Sequence, residues 1–541
     1  MKNPLANWTL ALPTALTIGL AVAALAWMPG AKQPKYRTDL DPAPETVPAL
    51  CSPKRPAANC RMTSSDLNPQ INYFRVTNPN TMAPQYAPRQ FGTSNSIDND
   101  WSIDDSTFVV SNLNGSVVPI ELSSSHSRLT TTPVLCNSGD PNCTCNQAGP
   151  ACSAAISGIL NINGTAVFSK LTPNQLVTAV SSRGGWAFSY VDLRPVIASA
   201  ESATISIPIT PSIHSCSGIQ LPSRNTVGLI GVSQNDGRIT TSTGGPRQDN
   251  WSVVYVWDTA KRACRYLDLT RMAIGGDTPW GSPTGSAELV DENGRLLDAS
   301  DPRYKLCSSD GTAAPACMHG AQITPDGKLA VFSTTVDNYE YFWDIDSLKI
   351  YLCGVNKDSG TCSGHGVMGS GLQLFLLNSS KSLIQTHSMP ASPALPTNQL
   401  YPVANEPKGF GNYEWDTHAN WNSNTGSNLQ PFLFLPWSPH NGAYPPTVGW
   451  GDELVLGFAT GSTAAYRIAH TYNRAVSFYD QGLPQISHNG TFAIFGSSWG
   501  GTDIDAGDSS CKRKPCYRTD VFLVPIPDTR AEAQRRGEEK P

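Results

Sequence analysis

Charge is scarce in this sequence: Asp, Glu, Lys and Arg make up only 15% of the 541 residues, against roughly 25% in an average soluble domain. The 38 basic and 43 acidic side chains leave a net charge of -5, so no positive excess exists to hold a phosphate backbone. A nucleic-acid partner is therefore not expected. Helical periodicity is missing after residue 30, which argues against a parallel α/β sheet. G-x-S-x-G, H-E-x-x-H, P-loop and dinucleotide G-x-G-x-x-G motifs in a credible context are missing too, and with them the common hydrolase, metalloprotease and nucleotide chemistries. The chain has no C-x-x-C, hence no C-x-x-C-H, which removes the usual zinc and covalent haem spacings.

Turn formers and rings are plentiful. The 45 Gly and 43 Pro stand beside 13 Trp, 17 Tyr and 16 Phe, a balance that suits a large all-β protein with long loops and not a disordered chain. Near the start, Lys2 precedes an apolar run from Trp8 to Met28 that ends near a small-x-small Ala24-Leu25-Ala26. Residues 1–28 are expected to be a signal peptide or, uncleaved, an anchor spanning the membrane through residues 8–28. Pro13 and Gly19 disfavour a helix interior and so lean toward cleavage.

The 14 cysteines are an even number. Cys51 and Cys60, Cys307 and Cys317, Cys353 and Cys362, and Cys511 and Cys516 fall in short-range groups. Cys136, Cys143, Cys145 and Cys152 share one loop, and Cys216 and Cys264 are left as a longer-range pair. Disulfides in an oxidising compartment are expected: periplasm, secreted space or the outer side of the cytoplasmic membrane. Residues 29–70 read as a Pro-rich linker, 71–527 as the body and 528–541 as a charged tail.

The body repeats. Gln322-Ile-Thr-Pro-Asp-Gly-Lys-Leu-Ala-Val-Phe-Ser333 lies on Gln485-Ile-Ser-His-Asn-Gly-Thr-Phe-Ala-Ile-Phe-Gly496 without a gap. Both read as strand, Asp/Asn-Gly turn, strand, with the dipeptide that a tight hairpin demands. Val232 to Ser242 is a looser copy with one extra residue, and "YVWD" at 255–258 matches "YFWD" at 341–344. Weaker units start at Trp101, Phe168, His365 and His418, and the last closes on 520–526, giving seven. Small sheets that cannot bury their own faces do so when stacked around an axis. The expected fold is an all-β propeller of about seven four-stranded blades, with six or eight also compatible with the spacing; a β-sandwich is the alternative.

"TPDGKLAVFS" followed by "YFWDIDSLKIYLCG" resembles the WD-repeat-like and Tol-type blades of exported bacterial propellers. His319 stands three residues before Gln322, and His365 and His418 head the next two units, where the last unit has Gly482. First strands of blades line the channel, so three imidazoles there would suit zinc, manganese, iron or copper, with Gln322, Asn420, Glu414 and Asp416 as further ligands or acid/base groups. In architecture and residue type this arrangement resembles oligogalacturonate lyase, a propeller enzyme holding a divalent metal with channel-mouth histidines and a glutamine. The competing expectation is that each histidine bonds the backbone of a neighbouring blade, and for His440 and His470, off the repeat, that reading is the stronger. Asp503, Asp505 and Asp508 alternate beside glycine, as calcium loops do, without a later bidentate acid. The expected role is an exported binding or scaffold module for a protein or glycan; the alternative is a metal-dependent carbohydrate-active enzyme.

Overall fold

The computed structural model describes residues 46–51, 61–77, 91–131, 166–210, 216–307, 317–352, 367–405, 416–473, 482–501 and 519–526, apart from shorter breaks within these spans. Among them the strands form seven sheets, numbered here as blades one to seven. Blade one runs over residues 91–131, blade two over 166–205 and blade three over 227–286. Blade four covers 288–352, blade five 367–405 and blade six 416–470; blade seven holds 485–525 together with 61–75. Each is antiparallel apart from one added strand, and each sequence unit found by repetition supplies one of them. The fold is a β-propeller.

Its core is not inside any sheet but between sheets. In blade seven the strand Phe492–Ser497 sends Phe492 and Ile494 toward Trp101, Phe108 and Val110 of blade one. The alternate residues Ala493 and Phe495 pack on Leu433, Leu454 and Tyr466 of blade six. Strand Val253–Asp258 of blade three divides the same way: Val254 and Val256 face blade four, while Val253, Tyr255 and Trp257 face blade two. Successive side chains of a strand point to opposite faces. A blade apolar on both faces, as "VVYVW" and "FAIF" are, is stable only between two neighbours, which a sandwich cannot offer.

Blade seven closes the ring with both ends of the body. Strand Ile71–Arg75 pairs antiparallel with Asp520–Pro525, and Arg61–Ser64 pairs outside it. The boundary expected at residue 71 thus falls inside a ribbon, and Arg61–Ser64, read as linker, is a strand. A buried ion pair locks this seam: Arg75 Nε donates to Asp520 Oδ2 at 3.0 Å, and Thr77 Oγ1 donates to Asp520 Oδ1 at 2.9 Å. The preceding arm packs against the same blade, where Pro48 carbonyl accepts the Trp499 indole N–H at 2.7 Å.

Blades three and four, like blade seven, exceed four strands. Blade three continues through Ala273–Gly276 to Gly285–Ser286, and Glu288–Val290 runs parallel beside Lys349–Leu352 of blade four. This crossing is clamped by Arg238, whose Nη2 donates to both Asp346 oxygens at 2.9 and 2.8 Å. Its guanidinium lies 5.1 Å from the Trp280 ring centroid, and the Trp280 indole N–H donates to Asp346 at 2.9 Å.

The disulfides Cys216–Cys264 and Cys307–Cys317 are formed, with Cα atoms 5.7 and 5.1 Å apart, inside the span that the bond requires. Cys51 is also disulfide-bonded. Cys60, Cys136, Cys143, Cys145, Cys152, Cys353, Cys362, Cys511 and Cys516 lie outside the described residues, as do residues 1–28 and 528–541. Among the described residues no helix is long and apolar enough to cross a membrane.

Candidate functional site

The first strand of each blade positions the candidate residues. His319 and Gln322 lie on Met318–Ile323, whose pairing with Leu329–Thr334 shifts between Met318 and Ala321. His319 and Gly320 occupy that shift. Gly320 has φ 153°, and a Cβ there would sit 2.8 Å from Leu229 of blade three, so the irregularity lets the neighbouring blade close in. Gln322 is half-buried. The His319 side chain lies outside the described residues, as do His365, Glu414, His440, the side chain of Asp416, and Asp503, Asp505 and Asp508.

His418 is buried on Asp416–Asn420, opposite Leu435. Counting from the second residue of the next strand, Ile323 faces Ala330, Asn420 faces Leu433 and Ile486 faces Ala493. His418 is therefore level with Ala321, not with His319. Asn420 bridges blades six and seven: its Nδ2 donates to Gln485 Oε1 at 2.8 Å, and its Oδ1 accepts the Ile486 N–H at 3.0 Å. Both ends of that amide are occupied by the neighbouring blade. His470 is buried 3.9 Å from Glu453 Oε1, the carboxylate that also takes the buried Arg467.

The turns joining first and second strands share one plan, which differs from the expected two-residue hairpin. Residues 324–328 separate the strands of blade four, and 487–491 those of blade seven. A hydroxyl residue heads each turn. Leu329 N–H donates to Thr324 Oγ1 at 3.0 Å, Phe492 N–H to Ser487 Oγ at 3.0 Å and Arg238 N–H to Ser233 Oγ at 2.9 Å. Three residues on comes the left-handed position, held by Asp105 (φ 56°), Asp236 (φ 51°), Gly327 (φ 73°) and Gly490 (φ 74°). The apparent extra residue in the blade-three copy vanishes, because Asp236 and not Gly237 takes that position. Asp, like Asn, tolerates it better than other side chains.

Where that residue is Asp, it reaches the preceding blade. Asp105 of blade one accepts His488 N–H at 2.7 Å and Asn489 N–H at 2.9 Å from blade seven, and His488 Nε2 contacts Trp101 carbonyl at 3.1 Å. Asp236 of blade three accepts Lys170 N–H at 2.7 Å and the Ser169 hydroxyl, both of blade two. Between blades one and two, Asn174 N–H donates to Ser102 Oγ at 2.8 Å. Burial pushes the Asp105 carboxyl up to about 7, against the downward pull of the Asn489 and His488 N–H groups. Burial likewise brings the Lys170 ammonium down to about 8, with the Asp236 charge opposing it. Beside this latch Leu171 stands out at 59% exposure.

Among the described residues, one group has the spacing of a metal site. A ligand atom from each of Cys216, Cys264 and Asp277 lies within 4.8 Å of the others. Sequence reasoning missed it, because Cys264 and Asp277 meet only through the pairing of blade three's outer strands. It missed the latches too; their one signal is Ser followed three residues later by Asp, in "SIDD" and "SQND".

A scan of family models and a search of curated proteins found no match. Solved structures do resemble the chain. An oligogalacturonate lyase from Vibrio parahaemolyticus has a TM-score of 0.43 at 11% identity, covering 87% of this chain and 97% of its own. An oligogalacturonate lyase in complex with manganese has a TM-score of 0.41 at 11% identity, covering 92% and 99%. The C-terminal WD40 domain of Sif2 has a TM-score of 0.39 at 10% identity, covering 81% and 97%. Identities and scores this low carry no role across.

Proposed function

We propose that the chain is a binding or scaffold module of the cell envelope, exported and carrying a protein or glycan ligand on its propeller. One observation supports this most directly: the turn between the first strands of blade two is fixed by bonds to both neighbours while its tip, Leu171, is 59% exposed. A rigid frame loses little conformational entropy when a partner docks. An exposed leucine held by it supplies apolar contact beside the cationic Lys170. The oxidised Cys216–Cys264 and Cys307–Cys317 pairs agree with an exported setting.

Cross-linked capture from an envelope fraction tests the reading, with a Leu171→Asp variant as the comparison. Because Leu171 is mostly exposed, the variant is expected to fold normally. The wild type is expected to enrich a discrete partner, or to give a saturable signal on a glycan array, that the variant loses. Identical capture by both proteins would show that this turn is not the binding surface. Metal analysis separates the alternative: a stoichiometric transition metal lost in His365→Ala would favour the metal-dependent enzyme with His319, His365 and His418 as ligands.

A further inference from the structure

We infer that Cys216, Cys264 and Asp277 form a redox-gated site for a thiophilic divalent cation such as zinc or cadmium. It is closed while the sulfurs are bonded to each other and open once a dithiol reduces them. The inference is independent of the proposed binding role.

Asp277 is set in place before any ion arrives. Its Oδ2 accepts Cys264 N–H at 3.0 Å, and its Oδ1 accepts Ser217 N–H at 3.0 Å and the Ser217 hydroxyl at 2.8 Å. Its own N–H donates to Cys264 carbonyl at 3.0 Å. The same Oδ2 lies 3.1 Å from Cys264 Sγ. A disulfide sulfur carries no hydrogen, so that contact offers the carboxylate no donor. In the oxidised protein an acceptor oxygen therefore faces an acceptor sulfur, the juxtaposition that a cation between them would relieve.

The two cysteines differ in how firmly they are held. Cys264 sits within the strand Ala263–Asp268, paired on both sides. Cys216 lies in the short turn 216–218 beside Gly218, whose φ is 88°. In a tetrahedral zinc site with Zn–S bonds of about 2.3 Å, the sulfurs stand about 3.8 Å apart, against about 2.0 Å in a disulfide. A turn can yield that difference more readily than a central strand. Both cysteines are buried and Asp277 is half-buried, which leaves the fourth position on the solvent side for water.

The chemistry balances. The dithiol transfers two electrons and two protons to the Cys216–Cys264 bond, giving two thiols, and becomes a disulfide itself. The cation then displaces both thiol protons and binds two thiolates and one carboxylate oxygen. Two soft sulfurs select zinc or cadmium over calcium and magnesium. Two thiolates beside a carboxylate would repel one another without the ion, so the reduced site should be tightest when loaded.

Cadmium titration of the full chain, followed by the thiolate-to-metal charge-transfer absorbance, tests this in oxidised and dithiol-reduced protein. Reduced wild type should bind one equivalent more than a Cys216→Ser/Cys264→Ser variant, whose other cysteines are unchanged, and oxidised wild type should lack that equivalent. Asp277→Asn should retain the thiolate band but weaken binding at least tenfold. Zinc should raise the melting temperature of reduced wild type and leave that of the double variant where it was. Equal stoichiometry in the two reduced proteins, or a zinc response unchanged in the double variant, would overturn the site. So would a reduced wild type that neither binds the ion nor gains stability from it.

Discussion

Ser487 receives the backbone N–H groups of Thr491 and Phe492 at 3.1 and 3.0 Å and is itself buried. Ser487→Ala should then cost about 1–2 kcal/mol, read as a lower denaturation midpoint at unchanged slope, and Ser487→Thr should restore it. Asp105 makes a pH prediction. Its folded carboxyl keeps its proton up to about 7, while an unfolded one, with an ordinary value of 3.8, has lost it near 4. The folded state thus binds more protons over that interval, and its stability falls as pH rises from about 4 to about 7, then stays level. Lys170 acts in the opposite sense at higher pH. Its folded value of about 8 lies below the ordinary 10.5, so stability climbs between them. Melting temperature followed from pH 4 to 7 should fall less steeply in Asp105→Asn, whatever that change does to the absolute value.

The closing ribbon is the element whose loss should cost most. Arg75 and Asp520 are 1% and 3% exposed and bonded to each other across the seam. Arg75→Ala would leave the buried Asp520 charge without its guanidinium, at a cost of about 3–5 kcal/mol. The paired change to Arg75→Met with Asp520→Leu should recover most of it in the same denaturation experiment. Strand Asp520–Pro525 was legible as the end of the last unit because "VFLVPI" is a continuous apolar run. The outer strand Arg61–Ser64, which pairs with Ile71–Arg75, was not, since "RMTS" alternates exposed and buried residues over only four positions. Its buried Met62 shows its purpose only when blade seven's core is in place. The hydroxyl turns tell a similar story. "PDG" and "HNG" announced a reversal, but tight-hairpin geometry assumed that the dipeptide does all the turning. In the protein, Thr324 and Ser487 satisfy the backbone of a longer loop, and glycine supplies only one left-handed residue.

For the whole molecule, burial lies between blades, so stability should be cooperative across the seam. A break at the blade seven–one latch exposes Trp101, Phe492 and Ile494 together. The sequence showed candidate polar residues but not what they meet. Asn420 was a candidate ligand by type, and the neighbouring blade takes both ends of its amide. His418 belonged with His319 by its place at the head of a unit, and ladder register separates them by two residues. Purified protein is expected to carry no stoichiometric transition metal when oxidised; a bound ion lost on replacing His365 would overturn the binding reading.

What the chain settles by itself follows from local chemistry. Alternation with both faces apolar, recurring between turn signals, demands sheets stacked on sheets, and the spacing allows six to eight of them; among the described residues there are seven. The Cys307–Cys317 disulfide is readable on the same grounds, since it joins residues near one another in sequence. What only the tertiary structure decides is whatever rests on distance across blades. The aspartates that reach from one turn to the preceding blade are of this kind, and so is the ribbon from residues 61–75 that completes blade seven. The carboxylate of Asp277 beside the Cys216–Cys264 bond is another. Those partners are 13 to 445 residues apart, and no periodicity in a linear chain encodes which of many equivalent turns will face which.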